Sequence, residues 1–247
     1  MKKYIILTIL VFSISIIILC CSKKSSEETV INLNEKNVKL EEYMIDMVLA
    51  EMKEYENYEA IKAFSVVVRS NLVNDIIKNN FSNKKNLNIY LENKEKKSTK
   101  KNVNIYRKVK NAIFDTKGEV LCYKDRVISV PYHKISSGET IDIIRGTNIK
   151  IPFLKKTICE EDRESKDYLN IEYYNYNKAY SNIQKVKHLL HNYQIEKMDD
   201  MLRVVVFGKG HGYGMSLYNA NVLGSNGNNY KEILLKFFDK VKIIKVY

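Results

Sequence analysis

The chain has no tryptophan, two prolines, nine glycines and four histidines in 247 residues. With so little proline there is no proline-rich linker, and no internal repeat is visible, so one folded domain is expected. Cysteine is also scarce. Cys20 and Cys21 lie in an apolar N-terminal run, which leaves Cys122 and Cys159. Two cysteines make no disulfide framework, and the C-x-x-C spacing of metal sites is missing, so two free, buried thiols are expected. His188 and His191 stand three apart with no further ligand, so a zinc site is not supported. Acidic residues are outnumbered: 41 Lys+Arg against 29 Asp+Glu give a net charge of +12. That excess favours an anionic partner such as nucleic acid, acidic lipid or a cell-wall polymer. The abundance of Lys, Asn, Ile and Tyr together also fits AT-rich coding. No nucleic-acid-binding module is present, so nucleic acid is not an expected partner.

What is present begins at the N-terminus. Lys2 and Lys3 precede an uncharged run, "YIILTILVFSISIIILCC", from Tyr4 to Cys21. A basic start, an apolar segment and a polar "SKKSSEE" stretch describe an export signal, and the run is just long enough to span a bilayer. Three fates are open: retention as an anchor, cleavage before Cys21 with lipidation of that cysteine, or simple cleavage. All three place the remainder outside the cytoplasmic membrane, and attachment to that membrane is expected. Residues 22–36 read as a polar tether, and 37–247 as the folded domain.

"KLEEYMIDMVLAEM" opens an amphipathic helix in which Met44, Met47 and Val48 share a face. Glu51 falls seven, four and three residues after them, so its carboxylate joins that apolar face. A second helix runs from about Tyr58 to Lys78, with Ile61, Phe64, Ser65, Val68, Leu72 and Ile76 down one side. Lys62 and Arg69, two turns apart, share another side. "NLNIYL" is a plausible strand and "ENKEKKSTKKN" a basic loop. "AIFDTKGEVLCYKDRVISVPYH" reads as two β-rich runs flanking turns at 116–118 and 124–125. "KISSGET" is a small, polar loop, and "SNIQKVKHLLHNY" a candidate helix. "LRVVVFGKG" is a strand, "NYKEILLKFFDKV" a helix and "KIIKVY" a final strand. The fold class expected is α+β: an N-terminal helical pair, a β-rich middle and a C-terminal strand-turn-helix, behind a membrane-targeting segment.

Three constellations carry chemistry. Glu51 on a partly dry face is placed as a proton-holding general acid, or as the structural partner of Lys62 or Arg69. "GKGHGYGMS" gathers four of the nine glycines at 208, 210, 212 and 214. It matches neither phosphate-binding glycine pattern. His211 and Ser216 lack the surroundings of a nucleophilic pair. A close approach of ligand to bare backbone, and a purely structural turn, both stay open. His133 beside Ser136 and Ser137 suits a sugar, a metal or neither.

Taken together, three blocks resemble the stage II sporulation protein D family. They are "LEEYMIDMVLAEMKEYENYEAIKAFSVVVRSNLV" (40–73), "AIFDTKGEVLCYKDRVISVPYHKISSGET" (112–140) and "GKGHGYGMSLYNANVLGSNGNNYKEILLKFFDKVKI" (208–243). The family consists of membrane-attached lytic transglycosylases that act on peptidoglycan during spore formation. The resemblance implies that Glu51 is the catalytic acid. It implies substrate contacts from Lys62 and Arg69 on the second helix, His133, Ser136 and Ser137 in the middle loop, and His211, Tyr213 and Ser216 in the glycine turn. It implies glycan strands as substrate, a cell-wall amidase and sporulation membrane proteins as partners, and no cofactor. Some members bind zinc through cysteines near the serine loop; none stands there in this chain, so no metal is expected. Lys53, Phe64 and Leu217 depart from the usual proline, glutamine and glutamine. A competing reading is a non-catalytic, membrane-tethered glycan binder, which the last two departures favour.

Overall fold

The computed structural model describes residues 40–79, 103–142, 149–176 and 192–247. The leader, the tether, Cys21, the "NLNIYL" strand and the basic loop lie outside the described residues, as do His188, His191 and most of the 181–193 helix. Among the described residues no helix is long and apolar enough to cross a membrane.

The expected helical pair is there as α1 (Leu40–Met52) and α2 (Tyr58–Asn79). Asn57 starts α2: its Oδ1 accepts from the amides of Glu59 (2.9 Å) and Ala60 (3.2 Å), which satisfies donors that the first turn leaves orphaned. α2 is buried on more than the one predicted side. Ala60, Ala63, Val66, Val67 and Val73 are as inaccessible as Phe64. A helix apolar all round belongs inside a core, and α2 packs against α1, strand β1 and three further helices.

The first of those is α3 (Val103–Asp115), which corrects the reading of Ala112–Asp115 as a β-run. Ile105, Val109, Ala112 and Ile113 are buried at helical spacing. The turn after it leads into β1 (Glu119–Tyr123), and Lys124–Asp125 turns the chain into β2 (Arg126–Val127). β1 also pairs antiparallel with the last strand, β8 (Lys242–Lys245), so the middle of the chain and its last strand share one sheet.

Two further sheets position the site. β3 (Tyr132–His133) and β7 (Met215–Ser216) form a short parallel ladder, with Tyr132 opposite Met215 and His133 opposite Ser216. β4 (Leu169–Asn175), β5 (Asn192–Met198) and β6 (Met201–Phe207) form an antiparallel sheet with β6 in the middle. α4 (Leu217–Ser225) follows β7 directly, and α5 (Tyr230–Phe237) leads to β8. A 3₁₀ turn at Glu160–Glu164 lies against α4. The α+β class is as expected.

Candidate active site at the junction of two loops

Glu51 sits in the last turn of α1, at the margin of the apolar face, with its side chain 15% exposed. Lys134 faces it, with Nζ 3.9 Å from Oε2. Lys134 is held by its backbone: its amide donates to the carbonyl of Lys209 (3.1 Å), and its carbonyl accepts from the amide of Tyr218 (3.0 Å). Tyr218 meets Tyr55 edge-on, ring centroids 6.3 Å apart. The carboxylate of α1, the serine loop and the glycine turn therefore meet at Lys134. Sequence reading passed over Lys134; its place between His133 and the serines was the available signal.

The glycine turn is explained by what packs on it. Gly208 and Gly214 have φ of 78° and 69°, the left-handed region that side chains avoid. A Cβ on Gly214 would overlap the carbonyl of Pro131, and one on Gly208 would come 2.7 Å from the carbonyl of Ile135. The opposite loop fills the space that an approaching ligand was expected to use, so at these two positions the structural reading prevails.

Asp162 is the residue that sequence reasoning missed. It is fully buried, and its Oδ2 accepts from the Ser136 amide (2.6 Å) and from Ser216 Oγ (2.7 Å). One carboxylate thus ties the serine loop to the glycine turn. Burial pushes its pKa above the usual carboxylate range, against the pull of the Ser136 and Ser216 hydrogen bonds. Glu161 accepts from Asn219 Nδ2 at 2.9 Å, a second tie to α4. The acidic run Glu160–Asp162 was the only local hint.

Several expected substrate contacts are corrected. Ser216 is fully buried and caps α4, its Oγ accepting from the Asn219 amide while donating to Asp162. Ser136 is 1% exposed, and its Oγ accepts from the amide of Gly138 (3.2 Å). Arg69 is fully buried: it donates to the carbonyls of Ile113 (2.8 Å) and Glu119 (3.2 Å), and its Nε stands 3.4 Å from Glu41. It closes the carboxyl end of α3, where a cation is favoured. None of these three can reach a glycan from such positions. Lys62 is bound to Glu59 at 2.9 Å and lies over the rings of Tyr58 and Tyr230.

The other residues stay near the junction. Ser137 is partly exposed, and its carbonyl accepts from the Tyr168 hydroxyl (3.3 Å). His133 is nearly buried, and its Nδ1 donates to the Tyr213 carbonyl (2.9 Å), which fixes that tautomer. His211 accepts the Tyr213 amide on Nδ1 (3.0 Å), leaving Nε2 as its donor. Burial lowers the His211 pKa, so the ring is neutral at pH 7. The ring centroids of His133 and His211 are 5.8 Å apart.

Two kinds of comparison with known proteins show a likeness. A family model described as "Stage II sporulation protein" matches residues 27–123, which include Glu51 and Arg69. Stage II sporulation protein D of Bacillus amyloliquefaciens is 23% identical over 86% of this chain and 76% of its own length. The protein of the same name from Bacillus subtilis (strain 168) shows the same identity and coverage. The chain is related to stage II sporulation protein D. The family model ends within β1; the two pairwise likenesses continue across most of the chain.

Phe64 and Leu217 are both fully buried. Phe64 packs edge-on against Tyr132, 4.7 Å between centroids. Two departures from the stage II sporulation protein D pattern are therefore core residues. Cys122 and Cys159 are free and buried, and burial pushes their thiols up to about 11 and about 12. Both stay protonated at neutral pH and are poor nucleophiles or ligands.

Proposed function

We propose that the chain is a peptidoglycan lytic transglycosylase, with Glu51 as its acid and base. The observation that carries this reading is the meeting of Glu51, the serine loop and the glycine turn at Lys134, with Lys134 Nζ 3.9 Å from the carboxylate. Glu51 gives its proton to the glycosidic oxygen between N-acetylmuramic acid and N-acetylglucosamine. The carboxylate left behind faces the Lys134 ammonium. It then takes the proton of the muramyl 6-hydroxyl, which closes onto C1 and leaves a 1,6-anhydro end. One carboxylate performs both transfers, unlike the paired acids of glycoside hydrolases. Such proton transfer is worth roughly 10²–10⁴ in rate, and positioning of the glycan supplies the rest. His211 and Tyr213, partly exposed beside the junction, are the residues placed to hydrogen-bond the sugar.

The setting follows from the leader and the relatives. Residues 1–21 target or anchor the chain, 22–36 tether it, and 37–247 form the exported domain. Sporulation is the role that the relatives' name supports; to it this reading adds thinning of the septal wall, with a cell-wall amidase and other envelope proteins as partners. The non-catalytic reading drew on Phe64 and Leu217, and their burial takes that argument away.

The test uses glycan strands freed of stem peptides. The wild-type chain releases soluble fragments, and Glu51→Gln, with an unchanged melting curve, releases none. Release by Glu51→Gln at the wild-type rate would overturn Glu51 as the acid. A wild-type chain that pellets with insoluble wall and releases nothing is the outcome of the non-catalytic reading.

A further inference from the structure

The sheet of β4, β6 and β5 presents a face that the chemistry above does not use. Strand alternation puts Asn170, Glu172 and Tyr174 of β4 on the side of Val204 and Val206 of β6. The β5 register puts Tyr193 and Ile195 on that side too. These residues line a groove of about 560 Å³, in the size range of a small-ligand site. Lys166 and Asp167 border it, and it ends at the Gly208–Gly210 segment of the glycine turn.

Three observations say what would occupy it. The apolar floor of Ile195, Val204 and Val206 carries a tyrosine towards each end, Tyr193 and Tyr174, with polar side chains between and around them. Such alternation of ring and hydrogen-bonding group suits the C–H faces and hydroxyls of a sugar. The charges cancel: Lys166 and Lys209 stand against Asp167 and Glu172, with Lys209 Nζ 3.5 Å from Asp167. A phosphate site would keep its cations unmatched, so the lining fits a polyhydroxylated ligand held through its rings and hydroxyls, with no more than one carboxylate per disaccharide, in spite of the chain's net charge of +12. Third, the groove is continuous with the candidate active site. Lys209 exchanges backbone hydrogen bonds with Ile135 (2.7 and 3.2 Å) and accepts from Lys134 (3.1 Å), the residue whose ammonium faces Glu51.

We propose that this sheet face is a saccharide-binding groove that holds a glycan strand beyond the bond being cut. Tyr174 and Tyr193 sit in rows four residues apart along the sheet, about 13 Å by strand rise. A strand laid over both spans more than one sugar, so the groove favours long glycan over short. The proposal rests on the transglycosylase reading for its substrate class, and its test is separable from that reading.

The experiment measures binding of the full chain to β-1,4-linked N-acetylglucosamine oligomers of increasing length and to peptide-free glycan. Binding is read in the Glu51→Gln background, which stops turnover. Affinity is expected to rise with length. Tyr174→Ala and Tyr193→Ala should each weaken binding of long glycan about tenfold, the loss typical of a well-packed aromatic contact. Tyr174→Phe and Tyr193→Phe should restore most of it, which separates ring contact from misfolding. Equal affinity of the Ala variants and the parent, with melting curves matched, overturns the groove even if the enzyme cleaves glycan normally. Length-dependent, tyrosine-dependent binding by a chain that never cleaves glycan supports the groove and removes the transglycosylase reading instead.

Discussion

α2 and the sheet of β4, β5 and β6 use apolar residues in opposite ways. α2 buries them on nearly every side and even encloses the guanidinium of Arg69. β4 leaves all seven of its residues exposed, with Leu169 and Tyr173 half or more accessible. The helix is a scaffold that fixes where α1 ends and hence where Glu51 points. The sheet is held to the rest largely through the segments that flank it, as in the hydrogen bond from the Tyr168 hydroxyl to the Ser137 carbonyl (3.3 Å). One region is defined by what it excludes, the other by what it offers to solvent.

The contrast is most sharply tested at Arg69. Arg69→Ala leaves Glu41 buried without its cation and strips donors from the Ile113 and Glu119 carbonyls. A loss of about 3–5 kcal/mol is expected in denaturant unfolding. A loss below that of a surface variant would mean that Arg69 is not the internal tie described. Next in size is Asp162→Ala, which abandons the Ser136 amide and the Ser216 hydroxyl, at about 1–3 kcal/mol for each buried donor left unsatisfied. Asp162→Asn keeps an acceptor oxygen and should stay close to wild type by the same measurement.

The same two residues show how much the sequence discloses. α1, α2, the β6 strand and the glycine turn are legible, because helical spacing, strand alternation and glycine content are local signals. Arg69 and Asp162 are not, because their partners lie far along the chain: Ile113 and Glu119 for the one, Ser216 for the other. Nothing near position 69 distinguishes a buried guanidinium from a solvated one. α3 is hidden in the sequence for a different reason. Its last turn, Ala112–Asp115, is a short apolar run beside a turn, and its earlier core residues Ile105 and Val109 are spaced among Lys, Arg and Asn. For the site, Glu51 and its two loops were legible from motif order, whereas the division between contact residues and ties needed coordinates. Ser216 and Ser136 look like hydroxyls for a ligand and turn out to serve Asp162 and the local backbone.

A smaller effect concerns pH. The folded His211 pKa lies below its ordinary value of about 6.5. The unfolded chain therefore takes up the proton first, and this contribution to stability, complete above 6.5, is lost as pH falls from there towards the folded value. Asp162 acts with the opposite sign: its raised folded pKa gives stability that is present below the ordinary carboxylate value and is lost as pH rises through the folded one. His211→Gln should flatten the fall in melting temperature between neutral and mildly acidic pH, and an unchanged slope would show that His211 is not the titrating group. Smallest of all is Tyr173→Ser on the exposed strand, expected within about 0.5 kcal/mol of wild type by thermal unfolding. A larger loss would mean that the sheet packs against something that its exposure does not reveal.

The most direct measurement of the central claim is mass spectrometry of fragments released from purified sacculi. Wild-type chain should yield muramyl ends one water lighter than hydrolytic products, the mark of ring closure by the 6-hydroxyl, and the Glu51→Gln chain should yield none. Fragments carrying free reducing ends, or light ends that persist without the Glu51 carboxylate, would contradict it.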